Sequence, residues 1–309
     1  MQPDLSLASP GGARAAYGVA FYSVAVVAIE IVLILTMNAA GPGSPWATPL
    51  MIGVMWTPAL VGMAVQLASE RTLRGFGWGL GPLRFYGYGY LMPLLYGGLS
   101  VVAAQALGAG TIDFGNWAVL AGRWGFPEHE LAGLLIQLTL FMIPGLVMGI
   151  GEEIGWRGYL APKLGRFFGF WGVVNVTYVL WLAFHLPGMF LGGYHGNGTP
   201  LWYSLICFSA LLYPGTIFMN WLRMRSGSLW PCALYHAAHN CFIQLMWTFA
   251  FKPNEAGPWL LGEFGALLPV IFSLLLAGLL WKLGLHGKDA AGVSKATTGR
   301  ITAPVAAAA

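Results

Sequence analysis

From Leu131 to Ile150 the chain runs twenty residues without one ionisable side chain, and then reads Gly-Glu-Glu-Ile-Gly-Trp-Arg. A run of that length is what an α-helix needs to cross the hydrocarbon core of a bilayer. Similar apolar runs recur along the chain, near Tyr17–Met37, Pro49–Ala68, Gly87–Leu107, Trp171–Leu191, Leu201–Leu222, Leu229–Phe249 and Leu260–Leu283. Only 8% of the residues are charged, against about 25% in a soluble domain. Such a chain must satisfy its backbone inside each segment, which in lipid means helices. The expected fold is all-α, a polytopic integral membrane protein of about eight spans.

The loops test that count. If the residues before Tyr17 are cytoplasmic and the spans alternate, every Lys and Arg but two falls on the cytoplasmic side. The exceptions among the 15 are Arg123 and Lys252. The outer loops also take Asp113, Glu128, Glu130, Glu255 and Glu263. A Lys/Arg excess on the cytoplasmic side is what sets membrane orientation, so both termini are expected in the cytoplasm. The first run is too long for the apolar core of a cleaved signal peptide and is taken as a retained helix. The expected organisation is a short lead-in over 1–16, one membrane domain over 17–285 with its motif core in 131–249, and a disordered tail over 286–309. The bilayer is one expected partner. No basic cluster with interleaved aromatics points to nucleic acid. Cys207, Cys232 and Cys241 have no zinc or redox spacing and fit simple burial.

Ionisable groups inside a span are costly and mark function. Those of this chain are Glu30, Glu152, Glu153, Arg157, His185, His236 and His239, with Asn240 beside them. Glu153 and Arg157 stand i, i+4 in the favourable order for a helical ion pair. Glu152 points about 100° away and has no local partner. His236 and Asn240 share a face at i, i+4, with His239 nearby. One ordinary reading makes the acidic pair a solvated helix end and the histidines packed polar residues. Three spans each carrying acid, imidazole or amide favour a shared polar cavity instead, because in lipid these groups are one another's cheapest partners. A carboxylate, two imidazoles and an amide can activate a water and stabilise an oxyanion.

Glu-Glu-x-x-x-Arg at 152–157, a membrane histidine at 185 and His-x-x-x-Asn at 236–240, in that order, resemble the CAAX-protease and bacteriocin-processing family. These intramembrane glutamate-type endopeptidases are related to the type II CAAX prenyl endopeptidase and to bacterial abortive-infection proteins. The resemblance spans Leu131 to Phe249. One departure is Trp181, where the family's middle motif, Phe-x-x-x-His, has phenylalanine. The resemblance implies that Glu152 activates water with His185, and that His236 and Asn240 stabilise the oxyanion. It also implies that Glu153 and Arg157 order the site, and that the substrate is a membrane-associated protein or peptide. No cofactor is expected. A metal-dependent version would use Glu152, His185 and His236 as ligands, although no His-Glu-x-x-His occurs. The same buried groups would also suit a non-catalytic peptide-binding or immunity protein, or a small-solute transporter. Neither His239 nor Glu30 takes a role from the resemblance; Glu30 is read as a packed polar contact. The arrangement also demands that the fourth helix continue past Arg157, or Glu152 would sit at a membrane edge, out of reach of His185.

Overall fold

A computed structural model describes residues 10–282. The expected tail lies outside the described residues, as does most of the lead-in. The chain is mostly helical, in the order α1 (Pro10–Ala40), α2 (Ala47–Glu70), α3 (Arg84–Ala106), α4 (Gly115–Arg123), α5 (Glu130–Leu138) and α6 (Met142–Glu153). A π-helical segment, Ile154–Leu160, continues α6 into α7 (Ala161–Leu164). Then come α8 (Phe170–Leu191), α9 (Leu201–Ser226) and α10 (Trp230–His239). A second π-helical segment, Asn240–Trp247, extends α10, and α11 (Gly257–Leu260) and α12 (Leu267–Lys282) follow.

Among the described residues, five helical stretches are long and apolar enough to cross a membrane: Gly11–Ala40, Ala47–Glu70, Glu130–Leu164, Phe170–Leu191 and Leu201–Ser226. All eight expected runs are helical over most of their length, and five of them carry helices with the length and hydropathy of a membrane span. The all-α expectation also needs a small correction. Strand β1 (Gly110–Ile112) pairs antiparallel with β2 (Phe251–Pro253). This clip ties the end of α3 to the segment after the second π stretch. Asp113 strengthens it through an ion pair to Lys252 and a backbone bond from its N–H to the Ala250 carbonyl at 2.8 Å. The first helix begins at Pro10, ahead of the apolar run from Tyr17; proline suits a first helical turn, and after Gly11 and Gly12 the residues Ala13–Ala16 are good helix formers.

The third stretch is decisive for the site. Its helix does not stop at Gly151 but runs to Leu164, breaking stride only around Thr139–Phe141. It is held by close approach. A Cβ on Gly151 would meet the Met55 carbonyl oxygen at 2.6 Å, and one on Gly155 would meet Pro58 at 2.4 Å, both on α2. On another face, a Cβ on Gly145 would strike the Cys241 sulfur at 2.5 Å, and one on Gly149 would crowd His236 at 3.2 Å. Two glycine pairs spaced by four thus seat α6 between α2 and α10, as small residues do where membrane helices pack backbone to backbone. Glu152 and Glu153 lie between these two seams.

Candidate active site

Glu152, Glu153 and Arg157 are all buried, the arginine completely. The i, i+4 spacing delivers the anticipated ion pair: Arg157 Nη1 donates to Glu153 Oε1 at 3.1 Å. That same oxygen accepts from His236 Nδ1 at 2.9 Å. Glu153 therefore fixes the imidazole of His236 with its Nδ1–H inward and turns Nε2 toward Glu152, whose Oε1 is 3.9 Å away. A carboxylate behind an imidazole commonly sets ring orientation in this way.

Glu152 Oε2 accepts two indole N–H groups, from Trp156 at 3.1 Å and Trp181 at 2.8 Å. Its other oxygen is left facing His236. Trp156 is one turn further along the same helix, and Trp181 is one turn before His185 on α8. His185 Nδ1 donates to the Trp181 carbonyl at 2.7 Å. In the neutral ring that leaves Nε2 as the acceptor.

Trp181 is the hub of this side. Its ring stands 5.8 Å from the rings of both His185 and His236, and the Arg157 guanidinium lies over it at 4.3 Å. In the sequence, Trp181 reads as an exchange of one aromatic for another. The structure adds an N–H that phenylalanine lacks, spent on Glu152.

His185, His236 and Asn240 line one cavity of about 50 Å³, together with Trp181. The demand that Glu152 come within reach of a histidine is met through His236. Glu152 meets the cavity only through its partners, Trp181 and His236. The space suits a few water molecules, each needing roughly 10–15 Å³ by this measure. It is far below the ~300 Å³ of an ordinary ligand pocket.

The far wall of the same cavity was not anticipated. It carries Tyr194, His239 and Glu263. Glu263 was assigned to an outer loop. It does lie in the loop before α12, but that loop folds inward and buries the carboxylate. Glu263 Oε1 accepts from His239 Nε2 at 2.8 Å and from Gln244 at 3.1 Å, and Oε2 accepts from Tyr194 at 2.6 Å. With Nε2–H so engaged, the neutral ring of His239 accepts the Tyr96 hydroxyl at Nδ1. The only signal in the sequence was a lone acid among apolar residues, Leu-Gly-Glu-Phe-Gly.

Glu30 is buried on α1, with one carboxylate oxygen lacking a hydrogen-bond partner among the described residues, and lies against Gly188 of α8. It shares a buried stripe with Tyr22 and Val26 and is not on the cavity wall. Among the described residues no group of three or more His, Cys, Asp or Glu side chains is placed to hold a metal ion. In the set a metal would use, one atom of each residue is engaged, His185 Nδ1 by a carbonyl, His236 Nδ1 by Glu153 and Glu152 Oε2 by two indoles, which leaves His185 Nε2, His236 Nε2 and Glu152 Oε1.

A helical membrane protein with a buried acid–imidazole cluster is thus on hand. Its central segment, residues 134–242, matches the family model of Type II CAAX prenyl endopeptidase Rce1-like proteins. Over that segment, about a third of its length, the chain is similar to the CAAX-protease family. The match takes in Glu152 through Asn240 and stops short of Glu263. No curated protein matches the chain.

Proposed function

We propose that this protein is an intramembrane endopeptidase that hydrolyses a peptide bond of a membrane-associated protein or peptide. The family match supports a protease. The observation that carries the chemistry is the facing pair of Glu152 Oε1 and His236 Nε2 at 3.9 Å. A water beside that gap can reach both atoms at about 2.8 Å. Glu152 removes its proton as the water attacks the carbonyl carbon. The oxygen that becomes an oxyanion is met by Asn240 and by His236, whose positive form is offset by Glu153. The proton taken by Glu152 passes through the free Nε2 of His185 to the leaving amine as the C–N bond breaks. Preorganised donors of this kind act strongly where water is scarce.

Glu153 and Arg157 position these groups without touching substrate. Arg157 balances the carboxylate that holds His236, and its stacking on Trp181 keeps the indole on Glu152. The reaction as drawn uses no metal. The Lys/Arg bias of the loops supports termini on the cytoplasmic side, and an inner bacterial membrane is the proposed location.

The test is cleavage of quenched-fluorescent peptides, lipidated and unlipidated, by protein reconstituted in phospholipid vesicles. Wild type should cleave and Glu152→Ala should not, with chelator leaving wild type unchanged. Activity in Glu152→Ala would end the glutamate mechanism. Loss of wild-type activity to chelator alone would replace it with a metal-dependent one. A correctly folded wild type that binds peptides without cutting them would leave a peptide-binding or immunity role.

A further inference from the structure

Outside the matched segment, Glu263 makes a set of bonds that no role assigned above explains. One of its oxygens accepts from both His239 and Gln244. His239 is the last residue of α10, and Gln244 is the fifth residue of the π segment that begins at Asn240. The two are i and i+5. On an α-helix, five residues turn the chain through about 500°, leaving such side chains about 140° apart. A π turn, closed by i→i+5 bonds, brings i and i+5 close to one face. A single carboxylate oxygen serving both side chains therefore selects the π form over the α form.

The other oxygen of Glu263 binds the Tyr194 hydroxyl. Tyr194 lies in the loop after α8, and its ring is 6.1 Å from that of His185. The carboxylate thus ties the Asn240 wall of the cavity to the His185 wall. His239 is anchored on its other side to Tyr96 of α3.

We propose that Glu263 is a positioning residue: it clamps the α-to-π junction of α10 and so sets the direction of Asn240, and through Tyr194 it registers that wall against His185. The proposal rests on the hydrolytic reading of this cavity for its kinetic consequence, but not for its structural one. Asn240 is the first π residue, so reversion of the junction to α geometry rotates Asn240 and the side chains after it. His236 lies a turn earlier in regular helix, held by Glu153 independently of Glu263.

The test compares wild type with Glu263→Gln, which keeps the shape but cannot accept from all three donors. Backbone hydrogen exchange is read at 240–247, with the other π segment, 154–160, as internal control. Exchange should rise at least about tenfold at 240–247 and stay within about twofold at 154–160. In the vesicle assay, kcat should fall about 10–100-fold, as for loss of groups that orient a site, with KM within about threefold. Tyr194→Phe and Gln244→Met, each removing one donor, should give smaller changes of the same pattern. They also carry the test if Glu263→Gln does not fold.

Unchanged exchange at 240–247 would overturn the clamp, and so would an equal rise in both segments. A raised KM with kcat intact would overturn the positioning role in favour of substrate contact. If wild type cleaves no peptide, the protease reading falls while the exchange data still decide the clamp.

Discussion

The two walls of the cavity use one device in two ways. On each, a carboxylate oxygen holds an imidazole of α10: Glu153 holds His236 at 2.9 Å, and Glu263 holds His239 at 2.8 Å. On the first wall the acid comes from a neighbouring helix and is balanced by a fully buried arginine. Its partner imidazole keeps one nitrogen free for Glu152 and a water. On the second wall the acid comes from a loop, and all its bonds go to His239, Gln244 and Tyr194. Both nitrogens of His239 are occupied. A wall with a free nitrogen can do chemistry; a wall with every atom engaged can only hold shape.

The sharpest way to break this contrast is to exchange the acids for amides. Glu152→Gln should lower kcat by about 10³-fold or more, within the range of a lost acid–base group. That exceeds the loss expected at Glu263, and the reverse ranking in the vesicle assay would invert the assignment of the walls. Next comes the buried charge pair. Arg157→Met leaves Glu153 without its counter-charge, and removing one partner of a buried pair costs about 3–5 kcal/mol. Unfolding in detergent should show this loss. The double variant Glu153→Gln/Arg157→Met should regain part of it, although not activity.

Trp181→Phe removes the indole N–H from Glu152 but keeps the aromatic bulk. A hydrogen bond to a charged group is worth about 1.5–3 kcal/mol, and Trp156 retains the second one. A fall in kcat of about tenfold, with little change in folding, would mark Trp181 as a tuning contact on the chemical wall. No change would make it packing alone.

The smallest effect lies outside the cavity, at the β1–β2 clip. The hydrogen bond from Lys252, helped by the Gly115 N–H, holds Asp113 below its usual carboxylate range. A carboxylate whose native value is depressed stabilises the fold above its unfolded value, about 3.9. That contribution is lost as pH falls through the lower native value. Asp113→Asn should therefore narrow the difference in clip stability between neutral pH and pH ~3, read as exchange at 110–113 and 251–253. A difference unchanged by the substitution would remove Asp113 from the clip.

How much of this could be read beforehand follows the same division. Glu153–Arg157 and His236–Asn240 were visible because helical spacing is a local property. So was the need for the fourth helix to run on past Arg157, since the acids had to meet the histidines. The far wall was not legible. Glu263 finds its partners at 239, 244 and 194, and no periodicity links those positions. Orientation rules depend on Lys and Arg and say little about acids, so a lone glutamate among apolar residues was put in the outer loop. The π segments were missed because a helical pattern is read at 3.6 residues per turn. The first follows directly on Glu153 and the second begins at Asn240, and such insertions are frequent at functional sites. Of the eight expected spans, five have the length and hydropathy of a crossing helix; in the other three, apolar runs broken by Gly and Pro look alike whether they cross or only pack.

The size of the cavity has a pharmacological consequence. Space for a few waters admits no inhibitor larger than a fragment, so a compound directed at Glu152 has to capture the protein with its walls parted. Its apparent affinity is then its intrinsic affinity scaled by the fraction of molecules open at any moment. Two compounds with identical contacts in the parted site would be equally weakened.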